Sequence, residues 1–168
     1  MNRLLRLLKH RWFDERDAAR ALGRGGVRAL EMRVAASEKR HSGEIRVCVE
    51  GGLPLSYLWR NATARERAIA MFGKLRVWDT ELNNGVLIYL LLAERRIEIV
   101  ADRGVNRHVP PEEWHRITNA MRDAFRAGRF ASGLEQAVDA VDALLRRHFA
   151  IEATAANPNE LPDTPHLR

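Results

Sequence analysis

The sequence predicts an α/β domain in which a mixed sheet of at least three strands lies between helical layers. Three observations carry this. The run Glu44-Ile-Arg-Val-Cys-Val-Glu50 alternates apolar and polar residues, as a strand does. The run Gly85-Val-Leu-Ile-Tyr-Leu-Leu-Leu92 is apolar throughout, which suits a mid-sheet strand buried on both faces. Arg96-Ile-Glu-Ile-Val-Ala101 follows after only Ala93-Glu94-Arg95, a gap short enough to impose an antiparallel hairpin. A helical stretch separates the first strand from the second, so those two run parallel through a right-handed crossover.

The other elements follow in order. Residues 3–12 form a short helical pattern with Leu4, Leu5, Leu8 and Trp12 on one side and Arg3, Arg6 and Lys9 toward the other. Such a helix can pack on the domain or lie on an anionic membrane surface. Asp14 to Leu22 is a second helical pattern, ended by Gly23, Gly25 and Gly26, and Val27 to Arg40 a longer one. After the first strand, residues 51–62 read as an apolar loop folding over the domain or offering a partner surface. Thr63-Ala-Arg-Glu66 is a capping box, and its helix carries Ala68, Ile69, Phe72 and Leu75 on one side. Pro110-Pro111-Glu112-Glu113 opens the next helix, with Trp114, Ile117, Met121 and Phe125 as its stripe. Ser132-Gly-Leu-Glu135 reads as a second capping box, before Leu134, Val138, Val141, Leu145 and Phe149. The expected organisation is a basic helical extension over 1–24, a domain over 25–150 and a disordered tail over 151–168.

Composition narrows the classes. Cys48 is the only cysteine, so no internal disulfide exists, and within a strand it reads as a small buried hydrophobe. No apolar run reaches the roughly 18 residues of a membrane span. The N-terminus, interrupted by Arg3, Arg6, Lys9 and Arg11, does not look like a secretory signal. The expectation is a cytoplasmic protein, with peripheral contact at the inner membrane as a further option. Residues 1–41 hold 11 Lys/Arg against 5 Asp/Glu, a net of +6, while residues 42–168 hold 17 of each. The excess charge sits at one end without a stacking-aromatic motif, which disfavours nucleic acid. The six histidines show no metal-ligand spacing and are assigned surface or capping roles.

The strand order brings distant polar residues to one rim of the sheet. Asp79, Thr80, Glu81, Asn83 and Asn84 precede the second strand. Asp102 and Arg103 end the third, with Asn106 and His108 beyond, and Ser42-Gly43-Glu44 opens the first. Clusters rich in oxygen suit hard cations such as Ca²⁺ or Mg²⁺. The competing reading is a solvated rim whose Asp and Asn side chains cap turns.

At Ser42-Gly43-Glu44, Phe72, Asn83-Asn84-Gly85-Val86-Leu87, Glu94-Arg95-Arg96, Ile97-Glu98-Ile99, Asp102-Arg103-Gly104 and Phe125-Arg-Ala-Gly128-Arg-Phe130 with Gly133, the chain resembles the TPM-domain family. The resemblance covers about residues 25–150 and implies a three-layer α/β/α sandwich of Rossmann-like appearance. It also implies divalent-cation binding in some members, and acid phosphatase activity and photosystem repair in some plant members. Many members carry an export signal and a membrane anchor, and neither is expected here. Members often place an acidic residue where this chain has Asn83.

Two functions are weighed. The first is a non-catalytic binding module acting on or near a membrane protein complex, with a divalent-cation site. The alternative is a metal-dependent phosphatase-like hydrolase of phosphate monoesters. In either, Asp79, Glu81, Asn84 and Asp102 are the candidate metal ligands, and in the hydrolase Arg103 is the candidate phosphate contact. Gly43, Gly85 and Gly104 are the structural turn residues. The cation would be Ca²⁺ or Mg²⁺, with no organic cofactor. The expected partner is a membrane-associated protein, with anionic-lipid contact through residues 1–12. No catalytic residue is assigned.

Overall fold

The computed structural model describes residues 3–152 and 157–168. In chain order the helices are α1 (Arg3–Arg11), α2 (Glu15–Leu22), α3 (Gly26–Glu38), α4 (Leu55–Trp59), α5 (Ala64–Lys74), α6 (Arg103–Asn106), α7 (Pro111–Ala120), α8 (Arg122–Arg126) and α9 (Phe130–His148). The strands are β1 (Glu44–Glu50), β2 (Gly85–Leu91), β3 (Arg96–Ala101) and β4 (His166–Leu167), in the order β3-β2-β1-β4. β1 and β2 pair in parallel from Glu44 opposite Gly85 to Glu50 opposite Leu91. β2 and β3 form the antiparallel hairpin, turning through Leu92–Glu94 and a left-handed Arg95.

Both faces of the sheet are covered, as the apolar β2 requires. Ile45, Val47 and Val49 join Val86, Ile88 and Leu90 in a core closed by α2, α3, α7 and α9. Cys48, Leu87, Tyr89 and Leu91 face the second layer, where Ala64, Ala68 and Met71 of α5 meet Leu53, Leu58 and Leu161. Cys48 is buried as expected, and burial pushes its thiol up to about 12.

The second layer holds what the periodicity misplaced. Glu44, Arg46 and Glu50 alternate out of the first core, yet all three are buried. Each therefore needs a protein partner. Arg67 of α5 grips Glu50 with two hydrogen bonds of 2.8 and 2.7 Å, and the Tyr89 hydroxyl donates to the same carboxylate at 2.7 Å. This grip turns α5. Its inward side is Ala64, Arg67, Ala68 and Met71, and Ile69, expected inside, is half exposed.

Glu44 and Arg46 find hydrogen-bond partners in the stretch expected as a disordered tail. Over 157–168 it packs against the free edge of β1. Leu161 N donates to Glu44 Oε2 at 3.1 Å, and Arg46 donates to the carbonyls of Pro162 and Thr164. Asn157 bonds the carbonyls of Glu38 and His41, and β4 pairs in parallel with Cys48 and Val49. The remaining tail positions, 153–156, lie outside the described residues.

The Thr63–Glu66 box forms as expected. The Ser132–Glu135 box does not. α9 starts earlier, at Phe130, because Gly128 (φ 75°) closes α8 and the Phe130 ring stacks on Phe125. Ser132 then lies inside the first turn, where Gln136 donates to its hydroxyl. The expected loop 51–62 contains the one-turn helix α4. Two of the histidines assigned surface or capping roles, His10 and His41, are buried.

Removing one partner of a buried charge pair strands the other. Arg67→Ala leaves Glu50 with the Tyr89 hydroxyl and a distant Arg168 guanidinium at 3.5 Å. It should lower unfolding stability by about 3 kcal/mol, read as a shift of the urea midpoint. A change within experimental error would show that Glu50 does not depend on this grip.

Candidate functional site at the sheet rim

Where β2 begins, three chain segments meet. Gly85 lies opposite Glu44, Asp102 N donates to Gly85 O at 2.9 Å, and Asn84 reaches across to the residue before Gly43. The 77–84 loop seals this end by lying against two glycines. A Cβ on Gly85 would sit 2.0 Å from Val77 O, and one on Gly104 would sit 2.5 Å from Asn83 O. A Cβ on Gly43 would lie 2.7 Å from Leu145 Cδ2, a side-chain end that yields more easily than backbone. These glycines, expected as turn residues, act by permitting close approach.

The rim separates the candidate ligands into two groups. Asn84 is fully buried, and its Nδ2 donates to Ser42 O at 2.8 Å and to Ser42 Oγ at 3.3 Å. That donation fixes the amide, and Oδ1 is left buried with no hydrogen-bond partner. Asp102 caps α6, its Oδ1 accepting from Arg103 N at 2.7 Å, while its Oδ2 is also buried and unpartnered. The other two face outward. Asp79 is exposed and pairs with Arg76 at 2.5 Å. Glu81 is exposed, and its backbone N–H donates to Glu160 Oε2 at 2.9 Å. Among the described residues, no three His, Cys, Asp or Glu side chains converge as a metal-holding group.

Asn83 and Arg103 belong to the loop closure. Asn83 adopts the left-handed conformation (φ 53°), which asparagine tolerates better than most residues. An acidic ligand there would have to share this turn role. Asn83 O accepts from Gly104 N at 2.9 Å, and its Oδ1 accepts from Arg103 Nε at 3.1 Å. Arg103 is otherwise exposed. Asn106 is occupied by Ala101 O and the Trp114 indole, and His108 stacks on His148.

Beside the rim lies a buried acidic pair that residue spacing did not reveal. Glu38 Oε1 accepts from Ile45 N at 2.8 Å. Burial, reinforced by the neighbouring Glu44 charge, pushes the Glu38 carboxyl up to about 9. Burial also raises Glu44 to about 7, and its Oε1 has no partner. Asp163, from the C-terminal stretch, adds its charge to both. The available signal was an acidic residue at each end of the Glu38–Glu44 turn leading into a buried strand.

A Ser, a His and an Asp also meet behind the rim. Ser37 Oγ lies 2.8 Å from His41 Nε2 and donates to Asp142 Oδ1 at 2.8 Å. The Ser37 hydroxyl bridges the carboxylate and the imidazole. Burial lowers the His41 pKa, and Arg40 bonds Asp142 at 2.9 Å. The cluster ties α3 to α9.

The arrangement suits an oxygen-bound cation in one respect. Asn84 Oδ1 and Asp102 Oδ2 are hard oxygens left without hydrogen bonds at one end of the sheet. Ca²⁺ takes six to eight such oxygens, so backbone carbonyls and water would have to supply the rest.

With this geometry in view, comparisons place the chain. The sequence pattern of the TPM domain matches residues 16–144. The chain belongs to the TPM-domain family, and its mixed sheet between helical layers is the three-layer α/β/α fold expected. The match begins within α2, inside the stretch read as an extension. The NMR structure of BA42 protein from the psychrophilic bacterium Bizionia argentinensis is 29% identical, with a TM-score of 0.72 over 84% of this chain and 91% of that one. The N-terminal domain of a P. gingivalis protein is 23% identical, with a TM-score of 0.65 over 80% and 84%, and shares the fold. No curated protein matches.

Two outcomes follow. Gly104→Ala should push the 82–83 backbone off the rim and lower stability by about 1–3 kcal/mol, with amide shifts confined to 80–85 and 102–106. Unchanged shifts there would refute the close-approach role. The second outcome concerns pH. Folded Glu38 and Glu44 hold protons that the unfolded chain releases above the ordinary 4.5. Their stabilisation is complete below that pH and is lost as pH rises through about 7 and about 9. Melting temperature should fall across that interval, and Glu38→Gln should flatten the fall. An equal slope in the variant would contradict the assignment.

Proposed function

We propose that this TPM-domain protein is a non-catalytic binding module whose rim takes a divalent cation, Ca²⁺ or Mg²⁺, and thereby sets the 79–84 loop for a protein partner at a membrane complex. The single observation behind this reading is the pair of buried, unpartnered oxygens, Asn84 Oδ1 and Asp102 Oδ2, at the meeting point of β1, β2 and α6. An unsatisfied buried polar atom is costly, and a cation with its water shell removes that cost. Asp79 and Glu81 lie on the same loop with their carboxylates toward solvent, where a side-chain rotation would add charge to the site. The loop lies against Gly85 and Gly104 and is closed by Thr80 Oγ1 accepting from Asn84 N and by the Arg103–Asn83 hydrogen bond, so a ligand at Asn84 acts on its base.

Nothing in the rim geometry favours the hydrolase alternative specifically. Arg103 is engaged with Asn83. Hydrolysis would run through a water activated on the cation, with Arg103 freed from Asn83 to meet the phosphate.

Isothermal titration calorimetry with Ca²⁺ and Mg²⁺ tests the site. The protein should bind one ion, and Asp102→Asn should weaken binding by at least about tenfold, as expected for losing a charged ligand. Asp79→Asn should have the smaller effect. No heat of binding, or an Asp102→Asn variant that binds as tightly, would defeat the reading. Turnover of a phosphate monoester by the cation-loaded protein, lost in Asp102→Asn, would favour the hydrolase instead.

A further inference from the structure

Helix α1 is attached by a largely polar side, Arg6 and His10, with Leu7 packed against the second layer. Arg6 donates to Glu94 Oε1 at 2.9 Å, to Asn61 Oδ1 at 3.0 Å and to Ala62 O at 2.7 Å. His10 is buried, its Nδ1 accepting from Leu53 N at 2.9 Å and its Nε2 lying 3.1 Å from Glu94 Oε1. Burial alone would raise the Glu94 carboxyl, but the His10 and Arg6 hydrogen bonds outweigh it and hold it at about 2. The chain at the end of α1 and just beyond it is pressed onto Gly51 and Gly52, where a Cβ would meet Asp14 O at 2.6 Å and His10 O at 2.4 Å. The helix therefore cannot roll over without breaking these contacts.

Its apolar stripe consequently faces solvent. Leu4, Leu5 and Leu8 are all more than half exposed, and Trp12 is 84% exposed. The neighbouring α4, which packs against α1, does the same with Leu55 and with Trp59, 75% exposed. Large hydrophobes gathered on two adjoining helices mark an interaction surface. The surrounding charge selects its occupant. Residues 1–13 contain Arg3, Arg6, Lys9 and Arg11 and no Asp or Glu. Lys9 and Arg11 are exposed beside the stripe, and Arg60 lies over the Tyr57 ring at the end of α4. Exposed leucines, two tryptophans and flanking cations are the composition of a helix that lies in a lipid interface.

We infer that the α1–α4 face is a docking surface for an anionic lipid bilayer, with Leu4, Leu5, Leu8, Trp12, Leu55 and Trp59 entering the headgroup boundary and Lys9 and Arg11 meeting lipid phosphates. The surface is held ready by the Arg6–Glu94–His10 junction and is independent of the rim. Full-length protein is floated with vesicles of phosphatidylcholine alone or with about one third phosphatidylglycerol. It should float with the anionic vesicles and weakly with the neutral ones, and added salt should release it. Leu5→Glu with Leu8→Glu should lower partition by at least about tenfold, as should Lys9→Glu with Arg11→Glu. Both pairs are exposed, so melting temperature should stay near that of the wild type. As a second readout, brominated lipid should quench tryptophan emission in the wild type and less in Trp12→Phe. Absence of flotation and quenching with anionic vesicles overturns the inference. So does partition of both double variants equal to that of the wild type, or a dimer in sedimentation that Leu5→Glu with Leu8→Glu dissolves, since the face would then bind a second copy.

Discussion

The parallel pairing of β1 with β2 is the constraint on which the rest depends. It places Glu44 opposite Gly85, and Asn84 then closes the end of the sheet by donating to Ser42 O. β2 alone is apolar on both faces and cannot be an edge. β1 on one side and the hairpin partner β3 on the other remove both of its edges. Slipping the register by one residue would exchange the two faces of β1. It would drive Glu44, Arg46 and Glu50 into the aliphatic core and turn Ile45, Val47 and Val49 toward charged partners.

That alternation explains the second layer as a set of answers to buried polar groups. Glu50 receives Arg67 and Tyr89, Arg46 receives the 162–164 carbonyls, and Glu44 receives Leu161 N. The same layer accepts α1 through Arg6 and His10 on Glu94. Polar junctions thus orient α1, α5 and the C-terminal stretch, whereas the opposite layer is mainly aliphatic, with the Ser37–His41–Asp142 cluster joining α3 to α9. Buried ionic contacts are geometrically demanding, and here they fix which side of a helix faces in.

Much of the fold was legible because it rests on local pattern. The β2–β3 hairpin, the Thr63 cap and the stripe of α9 follow from periodicity and turn length, as does the Trp114–Phe125 stripe, although it is divided between α7 and α8. Convergence of Ser42, Asn84 and Asp102 on one rim followed from strand order. Other features depend on partners distant in sequence. Arg67 reads as a surface residue until Glu50 is seen beneath it, and α5 was misoriented for that reason. Residues 157–168 look loose because prolines interrupt them, yet the buried Glu44 and Arg46 of β1 demanded hydrogen-bond partners that only an added segment could give. Asp79 and Glu81 share a loop with Asn84, but loop membership does not decide side-chain direction, and these two point outward.

The rim is where the sheet closes and where the proposed cation site lies. The donation that locks Asn84 to Ser42 also leaves its carbonyl oxygen unpaired, as capping α6 leaves Asp102 Oδ2 unpaired. The most direct measurement is paramagnetic broadening of amide signals by substoichiometric Mn²⁺, which occupies hard-oxygen sites in place of Mg²⁺ or Ca²⁺. The account predicts that the amides of Ser42, Asn84, Gly85 and Asp102 broaden first. Broadening centred instead on Glu160 and Asp163, or spread evenly over surface carboxylates, would contradict it.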